Sequence, residues 1–326
     1  MRFVSLLPFL LVAAAACDRV TVPPRDAGPD SLGSLWESVD AGPTNFNAVS
    51  GSAADNVFVV GDQGTILHWD GTALLPEPSG TAANLRGVAV GSDSVVYAVG
   101  EQGTILRRQA GLWTADAPIT TAVLNAVWAG AATACAVGEQ GVALGLAGGV
   151  WTLIANSRND NYYAITDSSD GLYVVGSMGV LSHIDASLTS ISADTLLVRP
   201  PGAAAAVPYT KLLSGATRWG ASAYFVGVEG GLISWSPGGA GQAIDLPQVV
   251  LRGVAVGDGD VWVVGHDGFV AKLPGGQSPT TIPTPDNRWL ISVYAASASD
   301  LWIVGRSGAI LRGPPGMRGV GAGGVN

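Results

Sequence analysis

Short apolar runs of five or six residues recur along the chain, each bounded by glycine, aspartate, asparagine or serine. Runs such as "LRGVAV" (85–90), "VYAVG" (96–100) and "GTILRR" (103–108) have the length and β-branched content of strands. No long stretch carries a 3.6-residue amphipathic period. The pattern therefore predicts an all-β protein.

The runs repeat with a fixed phase. A Val-Gly pair ends at Gly61, Gly100, Gly138, Gly176, Gly227, Gly265 and Gly305, with spacings of 39, 38, 38, 51, 38 and 40 residues. Three residues after each stands another glycine: Gly64, Gly103, Gly141, Gly179, Gly230, Gly268 and Gly308. Three residues before stands an aromatic in six copies (Phe58, Tyr97, Tyr173, Tyr224, Trp262, Trp302) and Cys135 in the remaining one. Each unit holds four strand signals, the fourth carrying a tryptophan in "GLWTA" (111–115) and "GVWTL" (149–153). Four strands in about 40 residues make one propeller blade. The second strand is apolar on both faces, so neighbouring blades must cover both. The expected fold is an all-β, seven-bladed β-propeller with four antiparallel strands per blade. The seventh copy lacks its fourth strand, and "SLWESVD" (34–40) reads as the strand that supplies it and closes the last blade from the N-terminal side. "VGEQG" reads as a bulged hairpin, a type I turn followed by a left-handed glycine.

The first 16 residues change the picture from a bare domain to an exported one. "MRFVSLLPFLLVAAAAC" has an early cation, an apolar run and small residues, the pattern of a signal peptide over 1–16. Ala14-Ala15-Ala16-Cys17 resembles a bacterial lipobox, so Cys17 is the expected lipidation site, and 17–33 reads as a Pro/Gly/Asp/Ser-rich tether. The propeller is expected over 34–313, with a disordered Gly-rich tail over 314–326. This organisation predicts an exported protein anchored by lipid to a bacterial membrane in the cell envelope, facing the periplasm or the outer surface. With Cys17 lipidated, Cys135 is left as a lone small hydrophobe, and no disulfide is expected.

The formal charge is −9, with only 16 Lys plus Arg, and no basic stripe that a phosphate backbone would require. Nucleic acid is excluded as an expected partner. His68, His183 and His266 fall in different repeats, so no metal site and no cofactor is expected. A phosphate-binding loop and a Gly-x-Ser-x-Gly nucleophile elbow are both absent from the sequence.

The unit "LRGVAVGSDSVVYAVGEQGTILRRQAGLW" (85–113) resembles the repeat of photosystem II assembly-factor-type propellers, related to the sialidase-like (BNR-type) seven-bladed group. The resemblance spans about residues 34–313. It implies a binding or assembly-assisting protein rather than an enzyme. A sialidase-type Asp box is not intact, since "SSDGLYVV" (168–175) keeps Ser168 and Asp170 and then departs.

The turns after the second strands and the starts of the first strands converge on one face of a propeller. The latter bring Asn47, Arg86, Asn125, Tyr162, Arg252 and Trp289 to the central mouth as candidate ligand-binding residues. Arginines and aromatics at a concave centre suit a carboxylate, a sugar or a peptide. The long fourth spacing places an insertion near 187–211, expected on the same face. The expected function is a monomeric, non-enzymatic envelope scaffold recognising a protein or polysaccharide at the cell surface. A sialidase-like carbohydrate-active enzyme and an envelope-protein assembly helper are the alternatives.

Overall fold

A computed structural model describes residues 36–313 except 93, 286 and 298. The expected signal peptide over 1–16, expected lipidation site Cys17, expected tether over 17–33 and expected tail over 314–326 lie outside the described residues. The described chain forms seven separate sheets, one per blade. Blade two shows the plan: Leu85–Val90, Val96–Gly100, Ile105–Gln109 and Leu112–Ala115 follow one another as antiparallel neighbours from the centre outward.

Closure follows the expectation. Glu37–Ser38 pairs with Ile310–Gly313, placing Glu37 opposite Arg312 and Ser38 opposite Leu311. The Val39 amide adds a 3.0 Å bond to the Ile310 carbonyl. Trp36, only 4% exposed, enters the apolar layer between blades six and seven with Trp262, Val264, Leu290 and Ile303.

The core is a ring of seven apolar layers, each lying between two blades. Between blades two and three, for example, Tyr97, Val99 and Ile105 meet Leu124, Ala136, Leu144 and Trp151. This arrangement explains the two-faced second strands: Val96–Gly100 is buried at every position. Cys135 is fully buried in the next layer, where burial pushes its thiol pKa up and keeps it neutral.

The recurrent glycines have two different causes. The first of each pair is extended, with φ −169° at Gly100, so its backbone conformation asks nothing special. A side chain there would instead strike the preceding strand: a Cβ at Gly100 would stand 2.2 Å from the Asn84 carbonyl oxygen. The second is left-handed, with φ +66° at Gly103, and its Cβ would stand 1.8 Å from the Thr120 carbonyl oxygen. The turn itself corrects the sequence expectation. Gln102 is also left-handed (φ 57°, ψ 30°), and the Thr104 amide bonds the Glu101 carbonyl at 3.1 Å. Two successive left-handed residues make a type I′ turn, whose twist matches that of the flanking strands. The residue before the second glycine is left-handed in all seven copies: Gln63, Gln102, Gln140, Met178, Glu229, Asp267 and Ser307.

The insertion is ordered, and its hairpin extends to the outer edge of a blade while Tyr209 and Lys211 meet the turns of blades four and five. Leu197–Arg199 and Val207–Pro208 form a small hairpin, and Leu197–Arg199 runs parallel to Gly241–Ile244, the fourth strand of blade five. Blade five thereby becomes six-stranded, with the hairpin on its outer edge, far from the innermost strand Leu213–Trp219. Val198 pairs with Gly241, a non-local contact that draws the segment outward.

Candidate functional site

All seven first strands carry a bulge at the same place. The register slips between Phe46 and Ala48, Leu85 and Gly87, Leu124 and Ala126, Tyr162 and Ala164, Leu213 and Gly215, Leu251 and Gly253, and Leu290 and Ser292. A bulge re-aims the extra residue. Here the extra residues are Asn47, Arg86, Asn125, Tyr163, Ser214, Arg252 and Ile291, and all seven line one central cavity of about 500 Å³. That volume lies in the range of ligand sites.

Three of the seven are occupied in holding the ring. Asn47 donates to the Leu85 carbonyl (2.8 Å), Asn125 to the Tyr162 carbonyl (2.9 Å) and Ser214 to the Leu251 carbonyl (2.9 Å). Each satisfies an acceptor at the start of the next blade's bulge. A second set of ties lies outside them. The Asn45, Asn84 and Asn161 side-chain oxygens accept from the backbone amides of Ser307, Gln63 and Gln140, the left-handed turn residues of the preceding blades. The sequence signal for these staples is an asparagine 15 or 16 residues before the first glycine of each pair (Gly61, Gly100, Gly176), a spacing hidden by the other copies' Val123, Leu212, Val250 and Trp289.

What remains to face a ligand is asymmetric. Arg86 is bonded to Glu101, and that contact, ahead of burial, holds the Glu101 carboxyl below its ordinary range. Across the mouth stand Arg252 and Arg306. Arg252 donates from Nε to His266 Nε2 at 3.2 Å, and this neutral acceptor is its one polar side-chain partner among the described residues. Burial and then the charge of Arg306 lower the Arg252 pKa. Arg306 stands 4.0 Å from Asp62, whose carboxylate already accepts from Asn45 and Asn47 at 2.9 Å each. Trp289 is 47% exposed, and one face of its indole stacks on the His266 ring at 4.0 Å and 6°. Backbone bonds fix the group: the His266 amide donates to Val250 (2.9 Å) and the Arg306 amide to Trp289 (2.9 Å). Arg86, Arg252 and Arg306 line the cavity, and no carboxylate does among the described residues. A chain of net charge −9 thus concentrates cations at its centre.

Five of the six candidate residues, Asn47, Arg86, Asn125, Arg252 and Trp289, meet at this cavity. Tyr162 does not. It is fully buried, its hydroxyl 3.2 Å from Ser182 Oγ and accepting from Asn156 at 3.0 Å, and the bulge turns Tyr163 to the cavity instead. Trp289 precedes its strand, so the wall position of blade seven belongs to Ile291. Ser214, Ser292 and Arg306 are further polar lining residues that the candidate set lacked.

Fold and cavity together define a closed seven-bladed propeller with a cationic central mouth. No protein-family model and no curated protein matches the chain. Solved structures do resemble it. YCF48 bound to a D1 peptide superposes with a TM-score of 0.65 at 15% identity, covering 90% of this chain and 99% of that one. YCF48 from Cyanidioschyzon merolae gives 0.64 at 16% identity, covering 85% and 98%. The WD40 propeller domain of Doa1 gives 0.67 at 12% identity, covering 86% and 95%. At these identities the likeness is one of fold.

Proposed function

We propose that the chain is a non-enzymatic scaffold that holds a protein partner in its central mouth, tethered at the cell envelope through a lipid on Cys17. The observation that carries the reading is the Arg252–Arg306 pole beside an exposed tryptophan, in a cavity whose wall mixes polar Asn47, Asn125 and Ser214 with apolar Val254, Ile291 and Val293. Anionic and aromatic groups of a polypeptide match that surface. Two-carboxyl glycoside hydrolysis, to which sialidases with their tyrosine nucleophile are an exception, needs carboxyls about 5–9.5 Å apart across a cleft. The cavity wall presents three arginines and no carboxylate among the described residues. A solved YCF48 carries a D1 peptide, which supports a polypeptide ligand for this architecture. The leader and Cys17 support the envelope placement.

The purified chain is expected to recover a discrete partner from envelope extract. The double variant Arg252→Gln/Arg306→Gln should recover it at least roughly ten-fold less, as loss of interfacial charge contacts implies. Equal recovery by both proteins would remove the mouth from the interface.

A further inference from the structure

We propose that Arg252, His266, Trp289 and Arg306 form a proton-coupled subsite for a peptide carboxylate, in which His266 takes up a proton from solvent as the carboxylate binds. This rests on the scaffold reading and specifies the chemistry of its mouth. The argument begins with a hydrogen bond. Arg252 Nε–H donates to His266 Nε2 at 3.2 Å. Guanidinium nitrogen has only protons to offer, so Nε2 must present its lone pair and the imidazole must be neutral, its proton on Nδ1. Protonating Nε2 would set N–H against N–H. The contact would open, leaving two cations side by side with donors converging on one space. A carboxylate entering that space accepts from Arg252 and from His266 at once.

Two charged groups bear directly on His266, Arg252 against its cation and Asp267 in favour of it. Arg252 lies against it on the first strand of blade six, and Arg306 stands close enough to Arg252 to lower that group's pKa. The Arg288 carbonyl accepts from the amide of Gly268, two residues after His266. Asp267, adjacent in the turn, opposes Arg252. Burial first, and then Arg252, hold the His266 pKa below its ordinary value. Without a bound anion the site therefore stays neutral at His266 near pH 7. A carboxylate reverses the balance, since it pairs with both arginines and stabilises the imidazolium. Trp289 favours the same state. Its indole is already stacked on the ring at 4.0 Å, so the cation forms over an aromatic face.

A peptide carboxylate fits better than a phosphate. The lining beside the arginines includes the apolar Val254, Ile291 and Val293, with Tyr163 near Arg252. That wall can receive a side chain next to the charged group, which a free phosphate lacks.

The test is a titration of the three histidines by NMR on the full chain, His266 being assigned with His266→Asn. The probe is N-acetylphenylalanine, with N-acetylphenylalanine amide, galacturonate and inorganic phosphate beside it. The carboxylate is expected to raise the His266 pKa, leave His68 and His183 where they are, and bind roughly ten-fold more tightly at pH 5.5 than at pH 7.5 by proton linkage. The amide should be inert. Arg252→Gln and Arg306→Gln should each lose binding with an unchanged melting temperature. His266→Asn should bind at least roughly three-fold more weakly than the wild type at pH 5.5 and lose its pH dependence. An unmoved His266 titration, pH-independent binding, or an amide, galacturonate or phosphate that binds as well as the carboxylate would overturn the proposal. The two readings fail separately. Partner recovery that ignores His266→Asn at every pH sinks the subsite and spares the scaffold. A carboxylate that titrates His266 in a chain that recovers no partner does the reverse.

Discussion

A chain beginning at Thr44 is expected to melt roughly 10–15 °C below the full chain, from a loss of about 5 kcal/mol. The truncation removes two buried side chains, Trp36 and Val39, from the layers on either side of blade seven. Deleting a buried tryptophan alone costs about 3–5 kcal/mol. It also leaves Ile310–Gly313 as an unpaired edge. Such an edge is a template for pairing between copies, so concentration-dependent association should accompany the loss. Trp36→Ala tests the same layer without opening the edge, and should cost about 3 kcal/mol with no association. The blade-seven side of the joint is otherwise strongly built. Arg312 pairs with both oxygens of Asp300 at 3.1 Å and lies over the rings of Trp69 (4.7 Å) and Trp302 (5.1 Å), tying blade seven to blade one. Denaturation followed by circular dichroism distinguishes the outcomes. If the truncated chain melts with the full one, the ring is closed by something other than residues 36–39.

The second large effect belongs to Glu77, at the joint of blades one and two. Its carboxylate accepts from Arg108 Nε and Nη2 at 2.8 Å each and from Trp113 Nε1 at 2.6 Å, and lies 3.1 Å from His68 Nδ1. His68 in turn stacks on Phe58 at 4.1 Å, and Arg108 lies over the same ring at 5.0 Å. Burial raises the Glu77 pKa, but the bonds from His68, Arg108 and Trp113 outweigh it and bring the group down to about 2, from an ordinary 4.5. Because the folded-state value is depressed, the stabilisation is fully present above the unfolded value of 4.5. It is lost as pH falls from there through about 2. Glu77→Ala should therefore destabilise by roughly 2–3 kcal/mol at pH 7, since it strands charged donors in a half-buried site. The difference between variant and wild type should shrink steadily below pH 4. A difference that stays constant down to pH 2 would show that the loss is one of packing.

These two joints also show how far the sequence could be read. The blade count, the closing strand and the apolar second strands are written in residues of fixed phase, because glycine and the aromatic three places before it each answer a steric demand that recurs seven times. Side-chain direction at the mouth was less legible. A bulge shifts the two-residue alternation by one, so Tyr162 and Tyr163, identical in type, exchange inside for outside. Arg86 and Arg252 each follow a buried leucine, Leu85 and Leu251, so the phase alone places them at the mouth. The turn type is hidden because Gln102 takes a left-handed conformation that its own preferences do not advertise. The insertion's place depends on Val198 pairing with Gly241, which no local pattern announces.

The claim that function resides in the mouth is tested most directly by photo-crosslinking. A benzophenone amino acid replaces Tyr163 on the cavity wall in one chain, and exposed Val207 on the outer hairpin in another. Crosslinking in envelope extract is expected to yield a discrete protein adduct from position 163, reduced at least about ten-fold by Arg252→Gln/Arg306→Gln, and none from position 207. An adduct from 207 with none from 163 would place the partner on the rim and contradict the account.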